Sequence, residues 1–501
     1  MTSVASDTVI VVVLALLTIG TIAGLIVFLC KYVDDDGAPA RKKTTLALIL
    51  VAGLVVRLLF GMLIRGDRGD YSLFTDALTQ LGKGGLAGYY DGDASKTLYP
   101  VMYCIYLIFG GLSNAFSLAP QSLGAQFFIK LPLIIADLLS AFAVYKIAER
   151  YFNARIALTL AAFVCACPIF FIGSSVWTTP LAVTACLTCF GCYFLARKNY
   201  ATTIAFMTAA AFSSKEGIYL FPVVAVYSVF HIVRAAVNIR RDAPRGRSIL
   251  KKDYVAVITV PVGFVLSVAC AYLVGLFMIA SYDLNFFKYI YEFLLAPLVD
   301  WSYFTYNGLS IYAIFNRNGQ APGARFPSGV FVGLFAAIIT AVVCVVYFTK
   351  RNRATLVMLA AYSMFTMQLY YPDSSAIGMQ SALILLVAAY ALVKDKRLLH
   401  VLFVSGLAYV INASSALAQA GYFNNLADYY FSSADYTGSA LMTGALAAIP
   451  IACSVVTVLA HLYFTVITVN IGMTGQKRML AGCRGFAASF AEYFRMNTDK
   501  H

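Results

Sequence analysis

Apolar runs recur along the whole chain, near 8–30, 44–64, 125–145, 156–173, 178–196, 201–214, 217–233, 254–281, 329–349, 354–369, 375–393, 398–416 and 438–468. A helix needs about 20 apolar residues to cross the hydrocarbon layer, and most of these runs approach that length. The first, Val9–Leu29, is too long for a signal-peptide core and lacks a basic flank before it, so it reads as a retained helix. The polar stretches between runs are short except for 65–124 and 282–328. Within the first of these, 99–117 is apolar enough to suggest another span, but counting it would invert every later loop. Its tyrosines suit the level of the headgroups, and it is predicted to lie at the interface or to re-enter from the outer side. The second mixes Phe286, Phe287, Tyr289, Tyr291, Trp301, Tyr303 and Phe304 with charge, which predicts amphipathic helices on the outer surface.

Composition agrees with the pattern. The chain is 61% hydrophobic and 12% charged, with a mean hydropathy of +0.80, where soluble domains carry roughly 25% charged residues. The predicted fold class is an all-α integral-membrane protein, a polytopic bundle of about 11–13 transmembrane helices.

Charge then orients the bundle. With the N-terminus outside, 27 of the 37 basic residues fall on one side, among them Arg41 to Lys43, Arg234 to Lys252, Lys350 to Arg353 and the tail from Lys477. That side is cytoplasmic by the positive-inside rule, and so is the C-terminus. The net charge of +14 is therefore spent on topology, and nucleic acid is not an expected partner. The other side carries thirteen of the 23 acidic residues against nine basic ones. Five regions follow: an N-terminal helix and linker over 1–43, a module over 44–235 containing the first outer loop 65–124, and a basic cytoplasmic loop over 236–253. A second membrane module spans 254–470 with the outer loop 282–328, and a basic tail covers 471–501. The membrane is the plasma membrane in a prokaryote and the endoplasmic reticulum in a eukaryote.

The chemistry concentrates in the first outer loop, Arg65-Gly-Asp-Arg-Gly-Asp-Tyr-Ser-Leu-Phe-Thr-Asp76, where Asp67, Asp70 and Asp76 cluster at a membrane boundary. Ionisable groups there are costly unless solvated, paired or used. All four histidines, His231, His400, His461 and His501, fall elsewhere, so no His triad or His metal site is expected on the outer face. The Cys186 and Cys189 pair sits inside an apolar run and reads as packing. No metal and no cofactor is expected, and a general base on this face would be Asp or Glu. Lys215 stands between two apolar spans, where it is costly unless it snorkels, pairs with Glu216 or binds an anion. Asp137 lies about 10 Å deeper than Lys130 on the same helix and reads as a polar anchor that could pair with Arg57.

The order of these features resembles the GT-C superfamily of membrane glycosyltransferases, which take sugars from polyprenyl phosphates. The resemblance rests on Asp70-Tyr-Ser-Leu-Phe74, Gly85, Tyr89-Tyr90 and Tyr99-Pro100, then Lys130-Leu-Pro132 with Asp137. It continues through Trp177-Thr-Thr-Pro180 and Lys215-Glu216 before Pro222, covering about 44–235. The chain departs from the pattern in having one proline at Pro100 where two are common, and Thr178-Thr179-Pro180 where Gly-Gln-x-Asp is usual. The resemblance implies inverting transfer of a sugar, mannose first, from a polyprenyl- or dolichyl-phosphate donor to a hydroxyl of a glycan or glycolipid acceptor on the outer or lumenal face. It implies Asp70 as the base, with Asp67 beside it. Lys215, Lys130 and Arg68 would face the donor phosphate, and Tyr71, Tyr99 and Trp177 would line the substrates. A multi-pass transporter or lipid flippase, with Arg57 and Asp137 on a substrate path, is the competing class; such proteins often carry internal repeats, and none is visible here.

Overall fold

A computed structural model describes residues 2–32, 41–66, 68–90, 98–120, 122–242, 303–322, 353–419 and 441–474 apart from 443, with scattered positions over 258–291 and 334–346. Asp67 and Lys96 lie outside the described residues, as does most of the expected spans at 254–281 and 329–349.

The chain is a multi-pass helical membrane protein. Among the described residues six helices are long and apolar enough to span, Val9–Lys31, Lys42–Leu63, Leu123–Ala148, Lys215–Arg240, Arg397–Gln419 and Ala448–Ile471. Shorter apolar helices, Leu181–Ala196, Tyr200–Ala211, Thr355–Tyr370 and Gln380–Val393, occupy four further predicted runs. The first two long helices leave Val9, Leu16, Val27, Leu48, Val51 and Leu59 exposed, a surface that suits lipid rather than water. Gln380–Val393 is the opposite case. All of its residues are buried, so it is the central strut of the bundle.

For reference below, α1 is Thr2–Tyr32, α2 Lys42–Leu63, α3 Arg68–Tyr90, α4 Pro100–Ala115, α5 Leu123–Ala148 and α6 Ala154–Ala166. Short polar residues start several of these helices: Ser122 accepts from the Ala125 N–H at 3.2 Å, and Asn153 from that of Ile156 at 2.9 Å. At the other end of α5, Glu149 accepts from Lys42 at 3.0 Å, Lys146 at 3.0 Å and the Tyr145 hydroxyl at 2.9 Å. Burial alone would raise its carboxyl; these three donors outweigh burial and hold it down at about 2. The start of α2 is thereby tied to the end of α5.

Two expectations need correction. The run 156–173 reads as one span, but the helix stops at Ala166 and resumes at Pro168, bent by 58°. Proline has no N–H and its ring clashes with the preceding turn, so the carbonyls of Val164 and Cys165 lose their helical donors. The second concerns 282–328, predicted as amphipathic helices. Phe287 and Lys288 are helical, but 303–322 holds the strand Thr305–Tyr306 and the single turn Ile311–Ile314. Backbone pairing outcompetes helix there: Thr305–Tyr306 runs parallel to Ser374–Ser375, and Asn307 and Asn316 adopt positive φ, 51° and 56°.

The stretch 99–117 becomes α4, which packs between α3 and α5. The α3–α4 crossing depends on two glycines. A Cβ on Gly82 would meet the Gly110 carbonyl oxygen at 2.4 Å, and one on Gly110 would meet the Leu78 oxygen at 2.6 Å. The Phe74 and Tyr106 rings, 5.0 Å apart, fill the space beside the crossing, and the Tyr106 hydroxyl donates to the Ile129 carbonyl at 2.9 Å. Gly110→Ala is therefore expected to lower stability by about 1–3 kcal/mol through overpacking. Gly111→Ala, which adds its methyl to open space, should be neutral or stabilising. Unfolding midpoints of both variants in detergent check this; equal midpoints would contradict the close crossing.

Candidate active site

The break after Ala166 creates a buried charge centre. Arg57, fully buried on α2, donates to the Cys165 carbonyl at 2.7 Å, the Val164 carbonyl at 3.1 Å and the Gly53 carbonyl at 3.3 Å. Its guanidinium thus replaces the N–H groups that the break at Pro168 removed. Asp137 on α5 balances the charge, with Arg57 Nε 3.4 Å from its Oδ2. Ser174 donates to the same carboxylate, and Gln380 Nε2 lies 3.4 Å from the other oxygen. The pairing read from the sequence is present, as a tie between α2, α5, the bent pair and the central helix.

Lys130 lies one layer nearer the end of the bundle that carries α3 and α4. It is buried, and its ammonium donates to the Ile64 carbonyl and, at 2.7 Å, to that of Ser175. Gln126 adds a bond to the Gly61 carbonyl at 2.6 Å. Together they cap the C-terminal carbonyls of α2, where a cation also suits the helix dipole.

Beyond that clamp the chain turns sharply. Residues Ile172–Trp177 form a π-helical segment ended by Thr178 in a left-handed conformation, φ 71°. Thr178 Oγ1 donates to the Arg65 carbonyl at 2.9 Å, and Gly66, at φ 105°, passes so close that a Cβ would meet the Trp177 oxygen at 2.3 Å. Only glycine fits that crossing. The result seats Trp177 on the wall of a cavity of about 300 Å³.

Other segments complete the wall. Leu73 and Phe74 come from α3, and Leu98, Tyr99 and Met102 from the start of α4. The Val101 N–H donates to the Phe212 carbonyl at 3.0 Å, which brings Tyr99 beside the turn Ser213–Glu216. That turn is pinned by Thr184, whose hydroxyl lies 2.8 Å from those of both Ser213 and Ser214. On the last side Tyr306, Asn307 and Ser375–Ile377 are fixed by the small parallel strand pair, and Asn412 donates to the Asn307 carbonyl at 2.7 Å.

Lys215 is the cation on this wall. It pairs with Asp373, not with its neighbour Glu216: its ammonium contacts the Asp373 carboxylate and donates to the Asp373 carbonyl at 2.7 Å. Asp373 holds a left-handed backbone, φ 62°, and its N–H donates to the Phe304 carbonyl at 3.0 Å. Among the described residues the buried Tyr99 hydroxyl has no hydrogen-bond partner. Burial first, and then the charges of Glu216 and Asp373, push its titration well above the usual phenol range.

Of the residues singled out from the sequence, the cavity unites Tyr99, Trp177 and Lys215. Lys130 is not on its wall. Tyr71 is buried on α3 with the Arg65 guanidinium 5.8 Å from its ring centroid, and it too is off the wall. Arg68 and Asp70 lie in the first turn of α3, one turn before Leu73 and Phe74. Sequence reasoning missed Asp373 and Asn307. Tyr370-Tyr371-Pro372-Asp373, an aromatic and acidic cluster closing an apolar run, was the available signal for the first.

The bundle places Trp177 and the Lys215 turn on one cavity, in the order in which the sequence resemblance lists them. Residues 122–245 match the family model described as dolichyl-phosphate-mannose-protein mannosyltransferase, and the resemblance read from the ordered motifs is borne out. The match indicates a membrane glycosyltransferase of the mannosyltransferase class; the dolichyl-phosphate sugar is part of the family's description. It includes Trp177, Lys215 and Glu216, while Asp70, Tyr99 and Asp373 lie outside it. No curated protein matches the chain.

Proposed function

We propose that this protein transfers mannose, with inversion, from a polyprenyl- or dolichyl-phosphate donor to an acceptor hydroxyl on the extracytoplasmic or lumenal face. The observation that carries this reading is the Lys215 ammonium on the cavity wall, inside the family-matched segment. A lipid-linked phosphosugar keeps its chain in the bilayer and its phosphate at the surface. As the sugar leaves, the phosphate gains negative charge, and a preorganised ammonium stabilises that change more than it stabilises the bound donor. Asp70 takes the acceptor proton, with Asp67 and Arg68 its neighbours in sequence, while Trp177 and Tyr99 line the substrates. The family description favours a protein hydroxyl as acceptor; a glycan or glycolipid hydroxyl uses the same chemistry.

The transporter reading loses its main support in Arg57 and Asp137. Those groups are saturated by carbonyls, Ser174 and Gln380 around a helix break, which suits a fixed tie rather than a substrate path.

The deciding experiment uses purified full-length protein in nanodiscs, radiolabelled dolichyl-phosphate mannose and a membrane extract as acceptor. Label should move to the acceptor. Lys215→Gln should lower kcat/KM about 100- to 1,000-fold, the scale for one lost oxyanion contact. Its unfolding midpoint should barely change, because the Lys215–Asp373 pair is partly exposed, 23% and 30%, and such pairs contribute little stability. Transfer unchanged by Lys215→Gln would remove the phosphate role; no transfer by the folded, unmutated chain would remove the enzyme reading.

A further inference from the structure

The cavity contains two polar groups that the transfer chemistry does not use. One is Glu216. Its side chain is buried, 7% exposed, and lines the cavity. Its natural ion-pair partner, Lys215, turns to Asp373 instead. Among the described residues the Glu216 carboxylate has no hydrogen bond and no ion pair. The other is the Tyr99 hydroxyl, also buried and, among the described residues, without a hydrogen-bond partner. Most buried polar groups in folded proteins are satisfied, and a buried carboxylate left alone is costly. Both residues line one cavity, and a ligand hydroxyl that reached them would satisfy both.

Their chemistry says what kind. A carboxylate only accepts hydrogen bonds, and a phenol can donate one. A ligand hydroxyl does both, donating to Glu216 and accepting from Tyr99. Lys215 and Glu216 are consecutive in the single helical turn Lys215–Ile218, so their Cα atoms are 3.8 Å apart and their side chains diverge by about 100°. A phosphate held by the first residue brings whatever is bonded to that phosphate to the second. The turn cannot shift away, because Gly217 packs so tightly that a Cβ there would meet the Ala210 oxygen at 1.9 Å. Trp177 and Tyr306 add aromatic surface to the same wall, suited to the apolar C–H faces of a sugar ring.

We propose that Glu216 and Tyr99 form the sugar-hydroxyl site of the donor, holding the hexose whose phosphate lies on Lys215. This rests on the reading of a polyprenyl-phosphate sugar as donor. Both are binding residues and neither takes the acceptor proton.

The test compares two ligands that differ only in the sugar. Equilibrium binding of dolichyl-phosphate mannose and of dolichyl phosphate is measured on the full chain in nanodiscs, for the unmutated protein, Glu216→Gln and Tyr99→Phe. The expected result is a loss of about ten- to 150-fold in affinity for dolichyl-phosphate mannose in Glu216→Gln, the scale of a hydrogen bond to a charged group. A smaller loss is expected in Tyr99→Phe, and affinity for dolichyl phosphate should stay within twofold in both. Tyr99→Phe removes one oxygen from a helix start, so it tests the site even if Glu216→Gln does not fold. Equal losses for the two ligands, or no loss for either, would overturn the proposal. Unmutated protein that binds both ligands equally would overturn the sugar site and leave the phosphate reading intact, whereas binding of neither would end both.

Discussion

Asp70→Asn is expected to lower sugar transfer by about 100- to 10,000-fold while leaving donor affinity and the unfolding midpoint near those of the unmutated protein. That range is what a positioned general base contributes. Asp70 stands in the first turn of α3, and Phe74, four residues on, lines the cavity. The motif resemblance read from the sequence gives position 70 the role of base. Asp76, two residues after Phe74, is exposed. The bland alternative is that Asp70 only complements the positive end of the helix dipole. In that case Asn would cost about 0.3–1 kcal/mol of stability and leave turnover untouched. Rate and stability therefore move in opposite patterns under the two accounts, and measuring both on one preparation decides between them. Asp70→Glu, which keeps the carboxylate but moves it, should fall between Asp70 and Asp70→Asn in rate.

Arg57→Met should be among the most damaging single changes to the fold, costing about 3–5 kcal/mol, the penalty for breaking a buried ion pair by removing one partner. Two losses combine. Asp137 remains buried with only Ser174 and Gln380 as donors, and the carbonyls of Val164 and Cys165 return to the orphaned state that Pro168 imposes. The double variant Arg57→Met, Asp137→Leu removes the uncompensated charge, so it should be more stable than Arg57→Met alone. It should still fall short of the unmutated protein, because the carbonyls stay unpaired. Unfolding midpoints in detergent for the two single variants and the double give the coupling directly. Additive losses would mean that Arg57 and Asp137 act independently and that the tie across the helix break is not cooperative.

Much of this was legible in the sequence because membrane helices announce themselves through length and hydropathy. The class, most of the apolar helices and the Arg57–Asp137 pairing followed from residue type and depth alone. The helix break at Pro168 was legible in principle, since a proline in an apolar run costs a hydrogen bond wherever it stands. What could not be read was partnership across long separations. Lys130, taken as facing a phosphate, spends its charge on the carbonyls of Ile64 and Ser175; nothing local marks a lysine as a cap for a distant helix end. Lys215 has its acid neighbour one residue away yet pairs with Asp373, 158 positions on. That choice depends on how the strand pair Thr305–Tyr306 and Ser374–Ser375 presents the Asp373 backbone. The same choice left Glu216 facing the cavity, which no spacing rule foretells.

The cavity wall draws on residues from Leu73 to Glu216 and again from Tyr306 to Ala416. This has a consequence for biosynthesis. When the ribosome has completed the family-matched segment ending at 245, the lysine turn exists but the side that bears Asp373 does not. The cavity wall is complete only once the helix containing Ala416 has been made. Until then a nascent chain has an unfinished cavity, and a messenger truncated midway would yield a membrane protein with the family-matched segment intact and one side of that cavity missing.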